Sequence, residues 1–211
     1  MAKFNRQEHV YTSPDFEEIV KDTIRFFNGT PVYAVPAPER FYGTGVYAIY
    51  CVAKSGVYKD FHEINRTSFD VPIYVGKAVP TGWRQGRIGN SDSMCYELYN
   101  RIREHGRSIE SGDALQISDF HCRFMILESK ETDLIGTVEA ALIRKYQPIW
   151  NTLLDGFGNH DPGSGRYQQA KSDWDVCHPG RAWAEKCQGK PTPKNSLLAS
   201  IRQFMENARK S

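Results

Sequence analysis

The eight residues Gly45-Val46-Tyr47-Ala48-Ile49-Tyr50-Cys51-Val52 contain no charged side chain and are dominated by β-branched and aromatic types. That composition predicts a strand, and a strand obliges the rest of the chain to supply hydrogen-bonding partners and a cover. A second, short strand, Ile73-Tyr74-Val75, follows Pro72. The polar stretch between them, SGVYKDFHEINRTSFD, reads as a long hairpin excursion. Alternation across 119–127 predicts a third strand.

Helices fill the intervals. One is expected over 93–105, with Met94, Leu98 and Ile102 as its buried stripe and Gly106 as its stop. Another runs over 133–146 and cannot outlast Pro148. Upstream, Ser13-Pro14 opens a helix over 14–28, in which Phe16, Ile19, Val20, Ile24 and Phe27 recur at helical spacing before Gly29. Residues 30–44 carry three prolines and read as a packed, irregular crossing segment. The region 156–193 is mostly loop. Asn195 then caps a last helix with Leu197, Leu198, Ile201, Phe204, Met205 and Ala208 on one face. This order predicts an α+β fold: a small antiparallel sheet flanked by helices, with N- and C-terminal extensions.

At 211 residues and 40% hydrophobic content, one domain with extensions is the expectation. No apolar run approaches membrane-spanning length. The N-terminal MAKFNRQEHV lacks an apolar signal core, so a cytoplasmic location is expected. Five cysteines without a CxxC pair read as reduced thiols. Charge is unevenly spread: residues 74–107 hold six basic and three acidic side chains, and residues 156–211 hold nine and five. Two locally basic regions suit a polyanion, because each phosphate neutralised releases a counterion. A solvated basic surface explains the same charges equally well.

Three features go beyond structure. Arg101 and His105 lie four apart on the edge of a buried helical stripe, and both can donate to an oxyanion or phosphate; snorkelling past the core edge is the plainer explanation. Glu139 sits within the inward face Ile135, Val138, Leu142, Tyr146, where a carboxylate calls for a metal ion or a cationic neighbour. Each strand sets a tyrosine beside a glycine, Gly45-Val46-Tyr47 and Tyr74-Val75-Gly76, with Lys77 next. Those glycines permit a close approach to the backbone.

Taken together, GVY followed by YVG resembles the two halves of the GIY-YIG nuclease motif. The similarity continues in order through Arg101, His105, Glu139 and Asn151, the last in PIWN, and covers roughly residues 43–155. It implies a β-β-α-β-α core and phosphodiester hydrolysis with one divalent ion, Mg²⁺ or Mn²⁺, on Glu139. It further implies Tyr47 as general base, His105 as acceptor or relay of its proton, and Arg101 as the phosphate's partner. Tyr74 would bind phosphate or order the water, and Asn151 would brace the site. A base role requires the Tyr47 phenol to be depressed, by the metal, Arg101 and Lys77. An insertion at 53–71 separates the two tripeptides. The extensions 1–42 and 156–211, with no separate DNA-binding module, look more like restriction enzymes than repair or homing members. That resemblance implies a homodimer on a palindromic duplex site. Lys77, Arg84 and Arg87 are further candidates for DNA contact.

Rival readings are a nicking nuclease of repair or homing type and a non-catalytic DNA-binding protein. A different nuclease scheme built on Asp119 and Glu128-Ser129-Lys130 leaves the six motif residues unexplained. A zinc site at Cys177, His178 and Cys187 lacks a fourth ligand.

Overall fold

The computed structural model of the protein describes residues 3–83 and 95–208. The uncharged run becomes strand β2 (Gly45–Cys51), and all seven of its residues are buried. It is flanked on one side by β3 (Tyr74–Ala78) and on the other by β4 (Phe120–Ile126), both antiparallel to it. A fourth strand, β1 (Val32–Ala34), pairs with β4, giving the order β1-β4-β2-β3. This fourth strand falls in the segment expected to be irregular. Three residues bracketed by Pro31 and Pro36 are too few to show a period, and prolines confine such a strand to a sheet edge.

Side-chain alternation sends the two halves of β2 into different layers. Tyr47, Ile49 and Cys51 face α3 (Glu97–Ser111), through Leu98, Ile102 and Ile109. The same layer holds α5 (Ile149–Thr152), α6 (Asp173–Cys177) and α7 (Lys194–Ala208), with Trp150, Trp174 and Ile201. Val46, Ala48 and Tyr50 face α1 (Phe16–Gly29) and α4 (Ile135–Tyr146), meeting Phe27, Ile135, Val138 and Leu142. The architecture is thus α+β, with helices on both faces of a four-stranded antiparallel sheet. Each aliphatic side chain buried in these layers contributes about 1.5–3 kcal/mol.

Several local expectations are revised. The excursion between β2 and β3 contains α2 (Asp60–Asn65), with Phe61 and Asn65 buried. The Asn65 amide donates to Cys51 O and Val71 O and accepts from Val71 N, tying the two ends of the excursion together. Helix α3 continues through Gly106 to Ser111. Gly106 does not stop it: Val35 and Pro36 pack over its bare side at ordinary contact distance from where a β-carbon would stand, and the packing offsets a propensity loss of about 1 kcal/mol. Positions 93 and 94, expected in this helix, lie outside the described residues. Helix α1 buries Phe27 but leaves Phe16 and Ile19 exposed, so its apolar stripe is only partly used. All five cysteines are free thiols. Among the described residues no helix is long and apolar enough to cross a membrane.

Strand β3 is an edge, and α5 completes it. The Asn151 side chain accepts from Val75 N and donates to Val75 O, both at 2.8 Å, while Trp150 N donates to Ile73 O at 2.9 Å. A carboxamide and a helix amide stand where a fifth strand would pair. Asn151→Ala removes two of these bonds and is expected to cost about 1–3 kcal/mol. Urea unfolding of the variant checks this, and an unchanged midpoint would contradict the role of Asn151 in closing the edge.

Candidate active site

In the β2–β3 register, Tyr47 lies across from Gly76. A β-carbon at Gly76 would run into the rings of both Tyr47 and Tyr74. The close approach anticipated beside the motif glycines is therefore made by the tyrosines themselves. At Gly45, with φ of 150°, a β-carbon would strike the Met125 carbonyl across β4. The freed space directs the Tyr47 hydroxyl onto α3, where it lies 2.6 Å from His105 Nε2.

Both groups are buried, Tyr47 completely and His105 to within 2%. Burial holds the His105 imidazole well below its ordinary range, and the charges of Arg101, His160 and Arg181 push the same way. A neutral imidazole accepts at one nitrogen, so the phenol donates to Nε2 and the proton of the ring is assigned to Nδ1. Burial raises Tyr47 well above 10, with Tyr74 adding to the effect and Arg101 opposing it. The depressed phenol expected from sequence is thus absent in the free protein. Lys77, expected to assist, is engaged elsewhere.

Arg101 stands one helical turn before His105. Its Nη2 donates to Gly158 O at 2.8 Å, and its Nη1 reaches Glu104 Oε2 at 3.2 Å and the His160 ring. Tyr74 packs 5.1 Å from His105 and 4.8 Å from Phe157, centroid to centroid. Burial raises its phenol, against the pull of Arg101. Phe157 stacks on His105 at 4.5 Å with 19° between the planes. The fold therefore brings Tyr47, Tyr74, Arg101 and His105 together on one face of β3.

Glu139 approaches from the other face. Successive side chains of β3 alternate, so Lys77 leaves the strand toward α4, where Nζ meets Glu139 Oε2 at 2.5 Å. The carboxylate is 19% exposed and the lysine 33%, so the cationic neighbour demanded by the sequence is Lys77. Among the described residues no three His, Cys, Asp or Glu side chains gather as a metal cage. One half-buried carboxylate with an oxygen free of the lysine nevertheless fits a hard cation that keeps several waters and takes its remaining ligand from a phosphate.

Other candidates separate. Arg84 and Arg87 lie outside the described residues. Asp119 and Glu128 flank opposite ends of the seven-residue strand β4, which alone spans roughly 20 Å at about 3.3 Å per residue, so they cannot share an ion. His178 accepts from Tyr58 Oη at 2.8 Å, which in turn accepts from Trp150 Nε1 at 2.8 Å. That imidazole is therefore a hydrogen-bonded part of the core. Gly158, His160, Phe157 and Arg181, in a segment read as loop, escaped the sequence reading because no periodic pattern marks them.

The family model described as Eco29kI GIY-YIG domain matches residues 39–205. The chain belongs to this family. It is a family of restriction-type nucleases, with DNA as substrate. The match begins ahead of β2 and takes in the segment that carries Gly158, His160 and Arg181 along with the motif residues. A search of curated proteins returns no match.

Two imidazoles buried neutral make a linkage prediction for this GIY-YIG protein. His105 lies well below 6.5, and burial lowers His178 from 6.5 to about 4. Above the unfolded value of about 6.5, neither state binds the protons, so stability does not depend on these groups. Below it the unfolded chain takes up protons that the folded chain refuses. Stability then falls by up to about 1.4 kcal/mol per pH unit for each histidine, and His178 ceases to contribute below its folded value. Urea unfolding at neutral pH and near pH 5 measures the difference, and equal stabilities would contradict neutral burial.

Proposed function

We propose that the protein is a sequence-specific double-stranded DNA endonuclease, a type II restriction enzyme, that hydrolyses phosphodiester bonds with one divalent ion. The observation that carries this reading is the buried hydrogen bond from Tyr47 to neutral His105, with Arg101 one turn away on the same helix. A water molecule attacking phosphorus must lose a proton. Tyr47 takes it as its own proton passes to His105 Nε2, so no free phenolate is needed in a site that disfavours one. Arg101 holds the scissile phosphate and meets the charge that grows on it. Tyr74, its ring against both His105 and Tyr47, orders the water or binds phosphate. The departing oxygen takes its proton from solvent.

Glu139 is the residue that would hold Mg²⁺ or Mn²⁺, and the ion would supply Lewis-acid polarisation of a phosphate oxygen. Lys77 pairs with the Glu139 carboxylate in the free protein and offers a cation to phosphate when released. Arg84 and Arg87 are proposed DNA contacts on the strength of the sequence. Asn151 braces the site through its grip on β3.

Glu139→Gln is expected to abolish cleavage while leaving duplex binding largely intact, since the metal ligand is lost and the cationic contacts remain. Tyr47→Phe, which removes only a hydroxyl, is expected to lose about 10²–10⁴-fold in rate with little loss of stability. Plasmid cleavage in Mg²⁺ or Mn²⁺ with gel-shift binding tests both. Normal cutting by the Gln variant, or a Phe variant within a few-fold of the parent, would refute the assignment.

One active site cuts one strand, so a two-fold dimer on a palindromic site is proposed for double-strand cutting. Of the two helices that could serve, α7 commits Leu197, Ile201 and Met205 to its own core. Helix α1 leaves Phe16, Ile19 and Phe26 exposed. Light scattering with a cognate duplex is expected to show two protomers per site. One protomer per site, with nicked circles persisting as the main product, would point to a nicking nuclease instead.

A further inference from the structure

The residues that face Arg101 and His105 from outside the motif-bearing elements are held by one buried side chain. Arg181 is 6% exposed and uses all five of its N–H donors. Nε and Nη2 grip Asp175, itself 1% exposed, at 2.7 Å each. Nη2 also donates to Gly156 O at 2.8 Å, and Nη1 donates to Phe157 O and Asn159 O at 3.1 Å. The remaining carbonyl of the stretch, Gly158 O, accepts from Arg101. Four consecutive carbonyls are thus shared between two arginines, three to the buried one and one to the candidate phosphate ligand. The rings of Trp174 and Trp183 lie 4.6 and 4.8 Å from the Arg181 guanidinium and fix its plane.

We propose that Arg181, locked to Asp175, is a positioning residue of the active centre: it holds residues 156–160 in the shape that aims the Arg101 fork and seats Phe157 on the His105 ring. The proposal rests on the nuclease reading above. A saturated guanidinium that collects the carbonyls on either side of Gly158 sets where the Gly158 oxygen stands, and that oxygen sets the Arg101 fork. Lysine has three donors radiating from one nitrogen and cannot span this set.

The test uses Arg181→Lys and the milder Asp175→Asn, which keeps the volume and one acceptor oxygen of the carboxylate. Breaking a buried pair is destabilising, so rates are compared at a temperature where circular dichroism shows each variant folded. Single-turnover cleavage of duplex DNA is expected to fall by at least about tenfold in Arg181→Lys and by less in Asp175→Asn, because small misplacements of a phosphate clamp are costly. Duplex affinity without metal should change by less than about threefold, which assigns the loss to the chemical step. The His105 ring proton resonances, shifted by the stacked Phe157, should move toward unstacked values in the same order. A folded variant that cuts at the parental rate, or whose loss lies wholly in affinity, overturns the proposal. So do two variants that fail to fold while the parent melts normally, since Arg181 would then be a structural anchor only. If the parent binds duplex but cuts nothing in Mg²⁺ or Mn²⁺, the nuclease reading fails, and the His105 resonances alone decide whether Arg181 positions the ring.

Discussion

The absence of one β-carbon governs the geometry of the candidate active centre. Gly76 stands opposite Tyr47 in a fully buried central strand, and any side chain there would displace the two rings that meet above it. With that space open, the Tyr47 hydroxyl reaches α3 and finds His105. The same register puts Lys77 on the far side of β3 and hence against Glu139 on α4. A slip of one residue would exchange these faces and dismantle both pairs. Strand pairing is therefore also the alignment of the candidate chemistry.

The electrostatics follow from how dry that alignment is. Burial drives Tyr47 and Tyr74 up and His105 down, so three titratable groups meet in their neutral forms. Neutrality lowers the cost of packing them beside a guanidinium, because only Arg101 carries charge among the four. It also makes a proton's transfer between Tyr47 and His105 a move along an existing hydrogen bond. Two carboxylates border the cluster: Glu104 pairs with Arg101, and Glu139 reaches in from α4, paired with Lys77 and close enough for its charge to help raise Tyr74.

Strands β2, β3 and β4 and helices α3, α4 and α7 were legible in the sequence because each carries a period or a terminator. The set from Tyr47 to Glu139 was legible because its members sit on those elements, and Asn151 because it follows α4 closely in PIWN, on the short helix α5. What was hidden had no period to show. Strand β1 is three residues between prolines. Gly106 looked like a stop because the partners that occupy its bare side, Val35 and Pro36, are seventy residues away in the chain. Likewise, nothing in GFGNH announces that its carbonyls will be taken up by an arginine more than twenty residues further on. Long-range hydrogen bonding leaves no mark on local pattern. The resemblance named the candidate residues, and tertiary contacts located what packs around them.

The completion of β3 by α5 has a consequence for how this sheet meets other chains. Open strand edges invite another strand to dock by main-chain pairing. Along Ile73–Val75 that invitation is withdrawn, since Trp150 and Asn151 already occupy the outward-facing backbone groups. A second molecule cannot lengthen the sheet at this stretch without first peeling α5 away. Recognition on this flank must therefore be written in side chains, and the strand that carries half of the motif is sheltered from the pairing that leads to fibrils.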